Sequence, residues 1–343
     1  MGYALSSFSL LPGTQMTRPL TITLVTPARA TSRSGNRVTA DRWQALMQAL
    51  GHRINVVPAY DGAPADVLIA IHAWRSADAV SRFAQDQPGK PIVVCLSGTD
   101  IYAYQASHAE VTHGSMTAAT ILVGLHDLVA RSIPERYHSK LRIIHQSAVP
   151  VARRPPATDA FDVCVIGHLR EEKDPFRTAR AVRLLPPLIP IRVTHVGAAI
   201  DASWATRAEQ EMGENPRYRW LGEVPATGVA DLLAATRLMV LSSVSEGGAN
   251  VLGEAIVAGV PVIASAIEGS LGLLGLDYPG TYRTGDTQAL AHQLQRAVDE
   301  PAFLADLSKC CVARAPLFTP QRERAAWVAL LAEVIPSCER VDL

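Results

Sequence analysis

Charge is scarce and balanced in this 343-residue chain: charged residues make up 19%, with Lys plus Arg at 32 and Asp plus Glu at 32. A dedicated nucleic-acid binder carries a net basic face, so a nucleic-acid partner is not expected, although a local anion site remains compatible with neutrality. Cysteine is sparse, and Cys95, Cys164, Cys310, Cys311 and Cys338 show neither C-x-x-C spacing nor a companion histidine pattern. That argues against zinc and predicts reduced thiols. No uncharged apolar run reaches the ~18–20 residues that cross a bilayer. The first 17 residues carry no charge and so lack the basic start of a secretory signal. The expectation is a cytoplasmic protein without stable membrane association, in which residues 1–19 form a loose tail and Met16 is an alternative start.

Several chemical signatures are also missing. There is no G-x-G-x-x-G after a strand, no G-x-x-x-x-G-K-[ST], no G-x-S-x-G and no H-E-x-x-H, which weakens the dinucleotide, P-loop, serine-hydrolase and zinc-protease readings. No D-x-D closes a strand, so that device for holding a metal on a sugar-nucleotide diphosphate is absent. Neither a metal nor a bound cofactor is expected.

What is present is a regular alternation. TITLVT, INVVPA, VLIAIHA, PIVVCLS and LRIIHQ read as buried strands, and TADRWQALMQAL as a helix with Trp43, Leu46, Met47 and Leu50 on one face and Gly51 as its stop. VPVARRPPATDA interrupts the rhythm as a linker. The alternation resumes with FDVCVIG, IRVTHVG, YRWLG, LMVLSS and PVIAS, and the chain ends in helical patterns. Strands alternating with helices imply parallel βαβ units. The class is α/β: two doubly wound domains, 20–150 and 151–316, hinged near residue 150, with the ligand site at the strand ends facing the cleft.

The most informative segment is SVSEGGANVLGEAIVAGVPVIAS. Glu246 follows a strand, Gly247 and Gly248 allow close backbone approach, and a helix begins near Asn250, where free N–H groups attract anions. Glu254 lies eight residues after Glu246, ~12 Å along a helix axis, so the two carboxylates can grip hydroxyls on opposite sides of a diphosphate. The bland alternative is a surface Glu beside an ordinary strand–loop–helix, but Glu254 sits in an otherwise uncharged helix where a carboxylate needs a partner. In the first domain, PARATSRSGNR places Arg29, Arg33 and Arg37 around Gly35 directly after the first strand. Guanidinium forks there suit an anionic acceptor, against the alternative of a basic solvent-exposed loop. LSGTDIY offers Thr99 and Asp100 to an acceptor, with helix capping the alternative for Asp100. His72 ends its strand either as a functional group or as a packed histidine.

Glu246-x7-Glu254 followed by AGVPVIAS resembles the E-x7-E signature of GT-B glycosyltransferases that use nucleotide-sugar donors. The resemblance implies two Rossmann-like domains facing a cleft, with residues 317–343 a helix crossing back to the first domain. Glu246 would face donor-sugar hydroxyls, Glu254 the ribose, and Gly247, Gly248, Ala249, Asn250 and Val251 the sugar and phosphates, with Gly35 and Leu221 completing the donor site. VIGHLREEKDP resembles the family's diphosphate loop: Gly167, Leu169 and Lys173 match, His168 stands where Arg is usual, and Arg170 is the replacement cation. Lys173, Arg170 and Glu246 are the expected catalytic residues. Arg29, Arg33, Asn36, Arg37, His72, Thr99 and Asp100 are the expected acceptor ligands. SGNRVTADRW, LSGTDIY, GHLREEKDP, SEGGANVLGEAIVAGVP and GSLGLLGLDYPG, in this order, further resemble the selenosugar synthases of selenoneine biosynthesis. That resemblance implies a metal-independent transfer from UDP-N-acetylglucosamine or UDP-glucose to selenophosphate, releasing UDP, followed by loss of phosphate. Another small-molecule or lipid acceptor and a non-catalytic sugar-nucleotide binder are the alternatives.

Overall fold

The computed structural model describes residues 18–29, 32 and 34–335. Twelve strands in it form two six-stranded sheets. The first comprises β1 (Thr21–Val25), β2 (Arg53–Val57), β3 (Val67–Ile71), β4 (Ile92–Leu96), β5 (Ile121–Gly124) and β6 (Leu141–Ile143) in the order β2-β1-β3-β4-β5-β6. The second comprises β7 (Phe161–Ile166), β8 (Ile191–Val196), β9 (Tyr218–Trp220), β10 (Leu238–Leu241), β11 (Val262–Ser265) and β12 (Thr281–Tyr282) in the order β12-β11-β10-β7-β8-β9. Every pairing is parallel. The apolar runs of β3 and β4 are buried at every residue, because crossover helices cover both faces of a parallel sheet.

Strand order places the sites. In each sheet the chain runs to one edge and then returns to the other side of its first strand. The switch points lie between β1 and β3 and between β7 and β10. Loops leave such a point in opposite directions and open a crevice at the carboxyl ends of the strands. The loops after β7 and β10 carry Lys173 and Glu246; those after β1 and β3 carry Arg29 and His72.

The first helix, Gly35–Ala49, begins four residues earlier than its apolar spacing suggests. Arg37 therefore lies in its first turn rather than in the preceding loop. The last helix, Pro320–Val334, leaves the second domain and packs Trp327, Leu330 and Leu331 into the core of the first, with Leu20, Ile22 and Trp43. Trp327 meets Trp43 edge to face at 4.7 Å between centroids, a geometry that favours the ring quadrupoles. The domains also touch at the far end of the cleft: Asp127 pairs with Arg314 at 2.8 Å, and the Ser132 hydroxyl donates to Glu268.

Trp327 is fully buried, so Trp327→Ala should cost about 3–5 kcal/mol, the usual range for emptying an aromatic core site. Denaturant unfolding checks this, and a loss below about 1 kcal/mol would mean the last helix contributes little to the first domain's core.

Candidate active site

The loop after β7 is held from below. His195 of β8 is fully buried, with Nε2 3.0 Å from the Gly167 carbonyl and Nδ1 2.8 Å from the Tyr218 hydroxyl. Burial pushes its pKa down to about 4, so the imidazole is neutral and its Nε2–H donates to Gly167. His168 accepts from the Ala198 N–H at 3.1 Å through Nδ1; it ties this loop to the one after β8. Arg170 is about two-fifths exposed with Glu172 3.8 Å from its Nε. Lys173 ends a short helical turn whose carbonyl accepts from the Ser242 hydroxyl at 3.1 Å, so the Lys173 backbone is pinned to the exit of β10.

Lys173 and Glu246, expected on different parts of a donor, are joined directly. The Lys173 ammonium donates to Glu246 Oε1, which also accepts from the Ser243 hydroxyl at 2.5 Å. Both side chains are mostly shielded, at 17% and 9% exposure, so screening is weak and the pair matters more than a surface one. A diphosphate placed at this point would compete with Glu246 for the ammonium. Glu246 sits in the loop, since the helix Asn250–Val257 starts four residues later, and the axial spacing expected between Glu246 and Glu254 does not apply. Glu254 lies within that helix, where burial raises its pKa and the Arg42 guanidinium pulls it down. Ala249 is buried, Val251 is half-buried and Leu221 is 44% exposed beyond β9.

Across the cleft, the loop after β4 rests on Asp100. Its carboxylate is fully buried and accepts the N–H groups of Gly98 (2.7 Å), Ala73 (2.9 Å), Ser97 (3.1 Å) and Ile101 (3.1 Å). Asp100, expected as an acceptor ligand, is thus committed to backbone, because a buried carboxylate is stable only when its lone pairs are filled. The loop it shapes meets the other domain backbone to backbone. Gly98 has φ +123, and a Cβ there would lie 2.5 Å from the Gly247 nitrogen; a Cβ on Gly247 would collide with Ser97 and Gly98. Only glycine suits both positions.

His72 also lies in the left-handed region, at φ 80, an uncommon conformation for a residue with a side chain and one found at strained functional loops. The Arg75 N–H donates to its Nδ1 at 3.1 Å, and its Nε2 lies 2.9 Å from Thr99 Oγ1. The proton is therefore on Nε2 and donates to Thr99, leaving the Thr99 hydroxyl proton for another acceptor. Burial lowers the His72 pKa, so the ring is neutral. With both nitrogens engaged it offers no lone pair to a reacting group.

Arg37 pairs with Asp41 at 2.5 Å, Asn36 is half-buried in the same turn and Arg29 is exposed. Arg33 lies outside the described residues. Gly35 faces the Asn250 amide, 3.9 Å from a Cβ built on the glycine. Ser34, Ser97 and Ser245 have hydroxyl oxygens shielded from solvent without a hydrogen-bond partner. They lie on the loops after β1, β4 and β10, which meet at the cleft, and such groups call for a polar partner. Sequence reasoning missed Arg42, Gln146 and Glu323: Arg42 lies within SGNRVTADRW but is given no role, because an arginine on a helix reads as a solvated charge, and no motif marks the other two.

His126 shares the behaviour of His195: it is fully buried and its pKa is pushed down to about 4. An unfolded chain takes up these protons near the ordinary value of 6.5. Between those values the unfolded state binds more protons, so stability is full above about 6.5 and falls as pH drops toward 4. His195→Gln should flatten the acid limb of a stability–pH curve measured by denaturant unfolding. An unchanged limb would contradict the neutral, buried assignment.

Residues 152–311 match the family model described as glycosyl transferases group 1. Solved structures are similar over both domains. HepE from Anabaena, in complex with UDP and glucose, is 14% identical, covered over 92% of this chain and 100% of its own, with a TM-score of 0.73. Sucrose-phosphate synthase from Thermosynechococcus elongatus is 16% identical over 92% and 99%, with a TM-score of 0.76. A glycosyltransferase from Rickettsia africae is 12% identical over 93% and 99%, with a TM-score of 0.72. The chain has the GT-B fold of two Rossmann-like domains, and the match to the group 1 glycosyl transferase model lies within the part of the chain that forms the second sheet.

Proposed function

We propose that this chain transfers a sugar from UDP-N-acetylglucosamine or UDP-glucose to selenophosphate, forming a carbon–selenium bond at C1 and releasing UDP. Hydrolysis of the selenium–phosphorus bond by water then releases inorganic phosphate and leaves the selenosugar. The donor side of the reading is supported by the match of residues 152–311 to the group 1 model and by HepE, a structure of the same fold in complex with UDP-glucose.

The observation that carries the acceptor side is the commitment of the acceptor-edge groups. Both His72 nitrogens and both Asp100 oxygens are occupied, while Thr99, Ser97 and Arg37 present hydrogen-bond donors. An edge rich in donors and short of a base suits an acceptor that arrives as an anion with a polarisable nucleophilic atom. A selenium lone pair attacks C1, the bond from C1 to the β-phosphate oxygen breaks, and its electron pair leaves on UDP. Lys173 and Arg170 stabilise that charge together with the start of the helix Asn250–Val257; these fixed cations take the leaving-group role without a metal. Glu246 and Glu254 hold sugar and ribose hydroxyls. Contact of the two domains excludes water and so limits donor hydrolysis.

A hydroxyl-bearing acceptor is the second reading, favoured by one observation. Trp74 and Tyr104 stack at 3.9 Å beside His72, a flat wall that suits a ring. Its proton would then leave with the departing diphosphate.

UDP release from UDP-N-acetylglucosamine should depend on selenophosphate and yield a selenium-containing sugar by mass spectrometry. Inert selenophosphate alongside an active hydroxyl acceptor would favour the second reading. Lys173→Ala should lower kcat/KM for the donor by about 100-fold or more, as for loss of a preorganised charge contact; an undiminished rate would move the diphosphate elsewhere.

A further inference from the structure

Arg42 joins four segments of the chain. Its Nη2 donates to Asn250 Oδ1 at 3.0 Å, at the start of the helix that carries Glu254, and its Nη1 reaches the Ser147 carbonyl at 3.4 Å. Its Nε lies 3.4 Å from the Glu323 carboxylate on the last helix. Glu323 is fully buried and held on its other sides by the Trp43 indole N–H (2.8 Å), the Ser147 N–H (2.9 Å) and the Ser147 hydroxyl (2.5 Å). With its amide oriented to satisfy both ends, Gln146 accepts from Arg42 Nη2 at 2.9 Å and donates to the Gly248 carbonyl at 3.1 Å and to Asn250 Oδ1 at 3.0 Å.

The direction of this network matters. Glu323, Trp43 and Ser147 brace the guanidinium from behind, so its free fork is aimed at the donor loop of the opposite domain rather than wandering over the surface. Glu254 is half-buried, and its carboxylate accepts no hydrogen bond from any of the described residues. A carboxylate in that setting holds its charge only where a cation compensates for lost solvation, and the Arg42 guanidinium acts on it in that sense. Drawing the domains apart removes Arg42 from Asn250 and Glu254 together.

We propose that Arg42, braced by Glu323 of the last helix, is a positioning residue that couples contact between the domains to the seating of Asn250 and Glu254, and so sets affinity for the nucleoside diphosphate part of the donor. The inference rests on the UDP-sugar reading and deepens it by assigning part of the donor affinity to the first domain and the last helix.

The test is calorimetric titration of the full chain with UDP, paired with donor kinetics. Arg42→Ala should weaken UDP binding about tenfold or more and raise KM for the UDP-sugar more than it lowers kcat. Arg42→Lys, which keeps the charge but not the fork, should recover part of the loss. Glu323→Gln should weaken binding in the same direction, and Asn250→Ala should add little on top of Arg42→Ala, because both remove one contact. A residue needed only for packing would lower the melting temperature while leaving the UDP affinity of the folded fraction unchanged. Should Arg42→Ala fail to fold, Arg42→Lys and Glu323→Gln carry the same comparison. Wild-type affinity in the folded variants overturns the proposal while the donor reading stands. Absence of UDP binding to the wild-type chain overturns the donor reading, and the proposal with it.

Discussion

The centre of this molecule is a place where two backbones touch. The loop after β4, carrying Gly98, meets the loop after β10, carrying Gly247, with no room for a side chain on either. Asp100 spends its carboxylate shaping one loop, and Lys173 with Ser243 fixes Glu246 in the other. At the ends of the same interface, Asp127–Arg314 and Arg42–Asn250 hold the domains in register.

Neutral overall composition conceals how charge is distributed at this site. The carboxylates at the cleft are each answered differently: Glu246 by an ammonium, Asp100 by backbone N–H groups, and Glu254 by the field of a guanidinium on the opposite domain. The histidines behind the loops are kept neutral by burial. They act as hydrogen-bond donors of fixed direction. On the proposed reading such a site would bind and orient charge and leave proton transfer to the reactants, which is what an anionic nucleophile needs.

Much of this was legible in the sequence, for physical reasons. Buried parallel strands are uniformly apolar and short, so β3, β4 and β10 stand out. Glycines flanking a strand–helix junction mark a backbone that must come close to something, which singled out Gly247 and Gly248. Asp100 was harder: capping and ligand binding use the same residue type at the same position, and only its four N–H partners separate them. The direct pairing of Lys173 with Glu246 depends on the β7–β10 switch point, a tertiary fact that brings together residues 73 positions apart. Arg42 and Glu323 were illegible for the same reason, since neither is special on its own helix and their roles exist only where the last helix crosses to the first domain.

The glycine contact is the constraint on which the geometry of the cleft rests. Its most direct measurement is the turnover of UDP-sugar by Gly247→Ala, with thermal melting followed in parallel. The added methyl would collide with Ser97 and Gly98 of the other domain while leaving each domain's own core untouched, so donor turnover should fall about 100-fold or more as the reacting groups are misplaced by an ångström, with the melting temperature shifted by only a few degrees. Turnover at the wild-type rate would contradict it, because the cleft would then work without the contact on which its geometry depends.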